Sequence, residues 1–261
     1  MKQLYQSTMY RVWKSTGIKV AMLITFFAAT LYYVTANMVA SGDIAVEQAG
    51  SITGLGDAMI LWLFGSLVIG ILVGSDFENK TIHGAIGYGR KKIVINYIMV
   101  FAVLMLILVL PYTIGSLALL ISGTDMTGAD GTVISAYMGN VLNFENGDSI
   151  AKLMLSYVAT AVVYIGQLSI CIPVAIKMKK TVVVTAFGFF FGMMTAFIST
   201  LASKVEILDN IYRLTPYHYG MDKLGVRAET FDMCMGMTVS ILFTVICGVI
   251  AWLAFRKADI K

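Results

Sequence analysis

Six long apolar runs, parted by short polar stretches, set the pattern of this chain. They cover residues 17–37, 58–74, 93–121, 153–176, 181–201 and 233–255, and Lys19 is the one charge inside them. About 20 apolar residues in a helix cross about 30 Å of hydrocarbon. A backbone inside lipid must satisfy its own hydrogen bonds, so such runs fold as helices. They lack the period-two alternation of a membrane barrel. The pattern therefore predicts an all-α polytopic membrane protein, with six transmembrane helices in a single domain over residues 1–261. The first run is longer than the signal-peptide core of about 7–15 residues, so it is expected to remain as a span. The run at 93–121 would measure roughly 43 Å as a straight helix. Together with Pro111, this predicts a kink, a tilt or an extension beyond the bilayer. Pro173 is a second candidate kink in the fourth run.

The polar stretches add detail. Residues 1–16 place Tyr5, Met9, Val12 and Trp13 among Lys2, Gln3, Gln6, Arg11 and Lys14. This spacing predicts a short amphipathic helix along the membrane surface, with Trp13 at headgroup level. Segment 122–152 is rich in Gly and Asp, with Glu145 and Asp148, and reads as a solvated loop. Segment 202–232 interleaves Val205, Ile207, Leu208, Ile211, Tyr212 and Leu214 with charges before Thr215-Pro216-Tyr217-His218-Tyr219. Helical pieces on the membrane face, broken at Pro216, are expected there.

Composition agrees: 58% of residues are apolar and 13% charged, against about 25% charged in a soluble domain. Charge then sets topology. With six spans both tails lie on one side, together with loops 75–92 and 177–180. That side holds 13 Lys and Arg and 3 acids, while the opposite loops hold 5 and 12. The positive-inside rule makes the basic side, and so both termini, cytosolic. The pI near 8.8 thus reports orientation, and no nucleic-acid partner is needed.

Candidate chemistry is sparse. His83 and His218 fall in loops on opposite sides, and no nucleophile elbow or H-E-x-x-H helix is present. Cys171, Cys234 and Cys247 have no metal-ligand spacing and read as small apolar packers. Gly74 to Thr81 matches a P-loop except for Asn79 at the second glycine. Asp76 and Glu78 would confront the phosphates, and no strand precedes the loop, so the match is a coincidence.

One motif remains. Residues 74–90 read Gly-Ser-Asp-Phe-Glu-Asn-Lys-Thr-Ile-His-Gly-Ala-Ile-Gly-Tyr-Gly-Arg, directly between two spans. Acids first and cations last suit a short helix. The acidic-aromatic-acidic start, Asn-x-Thr-Ile and Gly89-Arg90 before a long span resemble the cytosolic loop of ABC-2 type transporter permeases. The six spans, cytosolic tails, amphipathic N-terminal helix and helical excursion before the last span are similar to that family in the same order. The resemblance implies that Asp76, Phe77, Glu78, Asn79, Lys80, Thr81 and Ile82 form a coupling helix, with Phe77 plugging a cleft of an ATPase subunit. It further implies two ATPase copies carrying ATP and Mg, a second permease copy or a similar permease, and no cofactor in this chain. The setting implied is the plasma membrane of a bacterial cell. Two departures stand out: Lys80 where a glycine is usual, and His83 where a basic residue is common.

Gly70 and Gly74, and Gly188 and Gly192, are small-xxx-small pairs that permit close helix approach. For Gly188 and Gly192 two readings stand: packing within one chain, or the dimer seam that the resemblance places near the first and fifth spans. Tyr32, Tyr33, Tyr157, Tyr164 and Gln167 are candidates to line a transport path, or else they pack helices. The function this implies is ATP-driven export of a peptide, antibiotic or lipid-like substrate. The alternatives are a polytopic membrane enzyme and a non-transporting sensor or assembly subunit of the same fold.

Overall fold

The computed structural model describes residues 1–45, 48–49, 56–122, 135, 137–138, 149–202, 204–220, 223–224 and 228–257. Gly123, Asp125, Gly128, Asp130, Gly131, Glu145 and Asp148, the residues that make segment 122–152 read as a solvated loop, lie outside the described residues. Most of the described residues are helical, and none of them forms a strand. The elements are α1 (Lys2–Lys14), α2 (Thr16–Ala40), α3 (Asp57–Ile69), a π turn (Gly70–Gly74), α4 (Ser75–Glu78), α5 (Ile82–Ile86), α6 (Arg90–Ser122), α7 (Ser149–Leu168), α8 (Cys171–Met178), α9 (Thr181–Ala202), α10 (Glu206–Arg213), a 3-10 turn (Pro216–His218) and α11 (Thr230–Lys257).

Six helical segments are long and apolar enough to cross a membrane: Thr16–Ala40, Asp57–Glu78, Arg90–Ser122, Ile150–Met178, Thr181–Ala202 and Thr230–Lys257. We number them as spans one to six. All six apolar runs are there, most of them lengthened by polar residues at their ends, because a helix does not stop where the hydrocarbon does. The third span passes Pro111 without interruption and is 33 residues long. The fourth span is broken instead at Ser169–Ile170, and Pro173 falls in the first turn of α8, where its missing N–H matters least.

Spans two, three and four form the centre, and 61%, 56% and 72% of their most apolar windows is buried. Spans one, five and six are peripheral at 33%, 24% and 28%. Span five packs on span two, span six on span four, and span three on spans one and four. The close approach of spans two and five rests on small residues. A Cβ on Gly70 would meet the Thr181 carbonyl oxygen at 2.8 Å, and one on Gly74 would meet the Thr181 nitrogen at 3.0 Å. Gly188 and Gly192 serve the same contact, since a Cβ on either would fall within 3.0 Å of Ser66 or Trp62. Packing within one chain therefore accounts for both glycines, and their face is filled by span two. The large apolar residues that span five exposes are Val182, Val183, Phe190, Met194, Phe197, Ile198 and Leu201.

Helix α1 forms as the spacing predicts, but its buried line is Leu4, Thr8 and Val12, while Tyr5 and Met9 are half-buried. The inward face keeps Val12 but takes in Leu4 and Thr8 in place of Tyr5 and Met9, and Thr8 finds a polar partner there. Trp13 is exposed.

Candidate functional site

The N-terminal helix, the 75–89 segment, the fourth-to-fifth turn and the last helix meet at one end of the bundle. Arg11 reaches Asp76, Phe77 packs edge-on to Phe255 at 5.8 Å, Lys179 lies over the Phe77 ring, and Arg90 donates to the Arg256 carbonyl. The four basic stretches thus gather at a single end.

Asp76 is the centre of this end. It is 3% exposed, although it sits at a polar loop. Its Oδ1 accepts from an Arg11 Nη1–H and from the Thr81 hydroxyl at 2.6 Å. Its Oδ2 accepts from Arg11 Nη2 at 2.8 Å and from the Tyr97 hydroxyl at 2.7 Å. A buried carboxylate is stable only when paired and fully hydrogen-bonded, and these four donors meet that demand. Burial pulls the Arg11 guanidinium below its ordinary value, with Tyr97 acting weakly the other way. One turn away on the same interface, Asn96 donates to the Thr8 hydroxyl at 2.9 Å. These bonds explain the inward line of α1, for Arg11 and Thr8 both serve span three and the loop. A partly open cavity of about 410 Å³ lies between α1 and the loop, beside this network.

The rest of the segment is fixed by other spans. The Glu78 carboxylate accepts from the Thr181 N–H at 2.9 Å and the Thr181 hydroxyl at 3.0 Å, so it caps the first turn of span five. Phe77 is half-buried against Phe255, and Ile82 is buried. The exposed tip is Glu78, Asn79, Lys80, Thr81, His83 and Gly84. The seven residues of the motif are therefore contiguous but unlike in setting: Asp76 and Ile82 face inward, Phe77 is shared, and the remainder faces out. The expected short helix is two, α4 and α5, hinged at Lys80, whose φ of 56° is left-handed. Such a backbone favours glycine. Gly74 belongs to the π turn and residues 75–78 are helical, so the P-loop likeness has no loop to stand on.

The candidate path residues lie on spans one and four, and several are committed to packing. Tyr32 is buried and stacked on Tyr112 at 6.0 Å. Tyr157 donates to the Leu106 carbonyl at 2.8 Å, Tyr164 is buried, and Tyr33 is half-buried. Gln167 accepts from Trp62 Nε1 at 2.9 Å, donates to the Pro216 carbonyl at 3.1 Å, and its own carbonyl accepts from the Tyr217 hydroxyl at 2.6 Å. The Pro216–His218 turn therefore tucks in among spans two, four, five and six, where Tyr217 also meets Phe191 and Phe243. Helix α10 forms before it, with Ile207, Leu208, Ile211 and Leu214 exposed on its apolar side.

A second buried carboxylate escaped the sequence reading. Asp57, the first residue of span two, is 1% exposed. It accepts from the Ala58 N–H at 2.9 Å, the Ser135 hydroxyl at 2.6 Å and the Tyr137 N–H at 2.8 Å. Burial pushes the Tyr137 phenol up to about 12, with its bond to Thr113 pulling the other way, so it stays protonated. The roles of Arg11 and Tyr97 were missed too, Arg11 being read as a surface charge of the amphipathic helix and Tyr97 being hidden in an apolar run. Among the described residues no three His, Cys, Asp or Glu side chains cluster as a metal site requires. Cys171 and Cys247 are buried free thiols, as packers would be, while Cys234 is exposed. In comparisons with known proteins, no family model and no curated protein matches this chain.

Proposed function

We propose that this chain is the membrane-spanning permease subunit of an ATP-driven ABC exporter, with residues 76–82 as the element that receives force from a separate ATPase. One observation carries the reading. A single short segment at the basic end is tied to α1 through Asp76–Arg11, to span three through Tyr97, to span five through Glu78–Thr181, and to span six through Phe77–Phe255. A displacement of that segment is transmitted to most of the bundle, which is what a subunit driven from outside needs. Its exposed tip from Asn79 to Gly84 is the surface offered to the partner. Phe77 acts from the inner side of this contact, bridging the tip to the last helix. ATP and Mg belong to the partner, and a peptide, antibiotic or lipid-like molecule is the substrate.

The test is co-expression with the proteins encoded beside this chain, purification in mild detergent with a search for an ATPase subunit, and measurement of ATP turnover in proteoliposomes. A stoichiometric complex is expected, weakened by Lys80→Glu and uncoupled from transport by Phe77→Ala. Recovery of a folded chain without any ATPase would sink the proposal and bring the enzyme and sensor readings forward.

A further inference from the structure

The cavity between α1 and the loop has features that the transport reading does not use. Gln3, Ser7, Arg11 and Tyr88 are among its polar lining, with Leu4 and Ile93 among the apolar. Its volume of about 410 Å³ is within the usual range for a small-molecule site. Its level in the membrane follows from the chain. Helix α1 leads into span one across Ser15, Asp76 stands in the last turn of span two with Thr81 just beyond it, and Ile93 and Asn96 lie near the start of span three. The cavity therefore opens at the height of the lipid headgroups on the basic side.

Its charge is unbalanced toward the ligand. The Asp76 side chain is 5% exposed and turned to its donors, while the Arg11 side chain is 39% exposed. Of the five guanidinium N–H groups, three are committed to Asp76 and Thr81. The anion of the pair is thus hidden and the cation faces out. Ser7 and Tyr88 add neutral donors, and Lys2, Lys14, Lys80, Lys91 and Lys92 raise the positive potential of this end. A guanidinium edge with hydroxyl donors beside it matches phosphate oxygens.

We propose that this cavity binds a phosphoryl group, supplied by the headgroup of a membrane phospholipid, and that the bound lipid holds α1 against the 75–89 segment. The proposal concerns the membrane face of the fold and does not rest on the transport reading.

The full chain in neutral detergent is titrated with short-chain phosphatidylglycerol, with diacylglycerol of the same chain length, and with soluble glycerol phosphate, reading Tm. Phosphatidylglycerol is expected to raise Tm saturably, by roughly 5 °C at a hundredfold excess over Kd, and phosphate-free diacylglycerol is not. Gly84→Phe fills the cavity from a position where an added Cβ meets nothing within 4 Å. It is expected to abolish the shift while leaving the lipid-free Tm in place, and Ser7→Phe should do the same from the opposite wall. Protection by phosphatidylglycerol without protection by glycerol phosphate supports a lipid source. Equal protection by glycerol phosphate overturns that source and leaves a soluble phosphate ester as ligand. A shift that survives both Phe variants, a shift equally large with diacylglycerol, or no shift at all overturns the site.

Discussion

Span two carries a buried aspartate at each end, and the two are held in different ways. Asp76, at the basic end, is neutralised by Arg11 and completed by Thr81 and Tyr97. Asp57, at the other end, receives two backbone N–H groups and one hydroxyl, with no cation among its described partners. It also stands in the first turn of a long helix, where the peptide dipoles favour a negative charge. The first arrangement joins three separate elements through long side chains. The second pins one short segment to a helix start through its backbone. The basic end thus rests on a side-chain ion pair between separate elements, and the opposite end on donors that are mainly backbone.

Removing Arg11 tests the contrast most severely, because it strands a carboxylate that is almost fully buried. Arg11→Ala should cost about 3 kcal/mol in mixed-micelle unfolding. Asp76→Asn in the same background should restore part of that loss, and strict additivity of the two changes would mean the pair is not coupled. Asp57→Ala is expected to cost about 2 kcal/mol through the donors it leaves unpaired, with no second-site charge change able to rescue it. Rescue by deletion of any single Lys or Arg would break the distinction between the two ends. Tyr97→Phe should cost about 1 kcal/mol and leave the Arg11–Asp76 pair intact, readable as a small fall in Tm. The smallest effect goes the other way: Lys80→Gly relieves the left-handed backbone and should gain about 0.5–1 kcal/mol. A loss there would show that the Lys80 side chain has a partner worth more than the strain.

Apolar run length was enough to find every span, because a helix in lipid has no other way to satisfy its backbone. Charge counting gathered the four basic stretches on one side, and the contacts of Arg11, Phe77, Lys179 and Arg90 bring them to one end. The interior of the site was less legible. Asp76 looked like a surface residue because its neighbours are polar, and only a guanidinium 65 residues away makes its burial affordable. Asp57 was counted with the preceding loop, since a run-length criterion stops at the first charge. Its place just ahead of an apolar helix was the available signal. Gly188 and Gly192 announced close packing, but a sequence does not say which chain supplies the opposing face, and Ser66 and Trp62 answer it.

The π turn at Gly70–Gly74 has a mechanical meaning. A wide turn of this kind holds one residue more than the α-helical spacing around it. Tightening it to α geometry would carry everything beyond it around the helix axis by about 100° and along it by about 1.5 Å. The segment beyond it is the one that bears Asp76, Phe77 and Glu78. Thr181 of span five lies against Gly70 and Gly74, with its hydroxyl oxygen 3.2 Å from the Gly70 carbonyl oxygen. Span two therefore holds one residue of slack just before the Asp76 segment, and Thr181 of span five is packed against it.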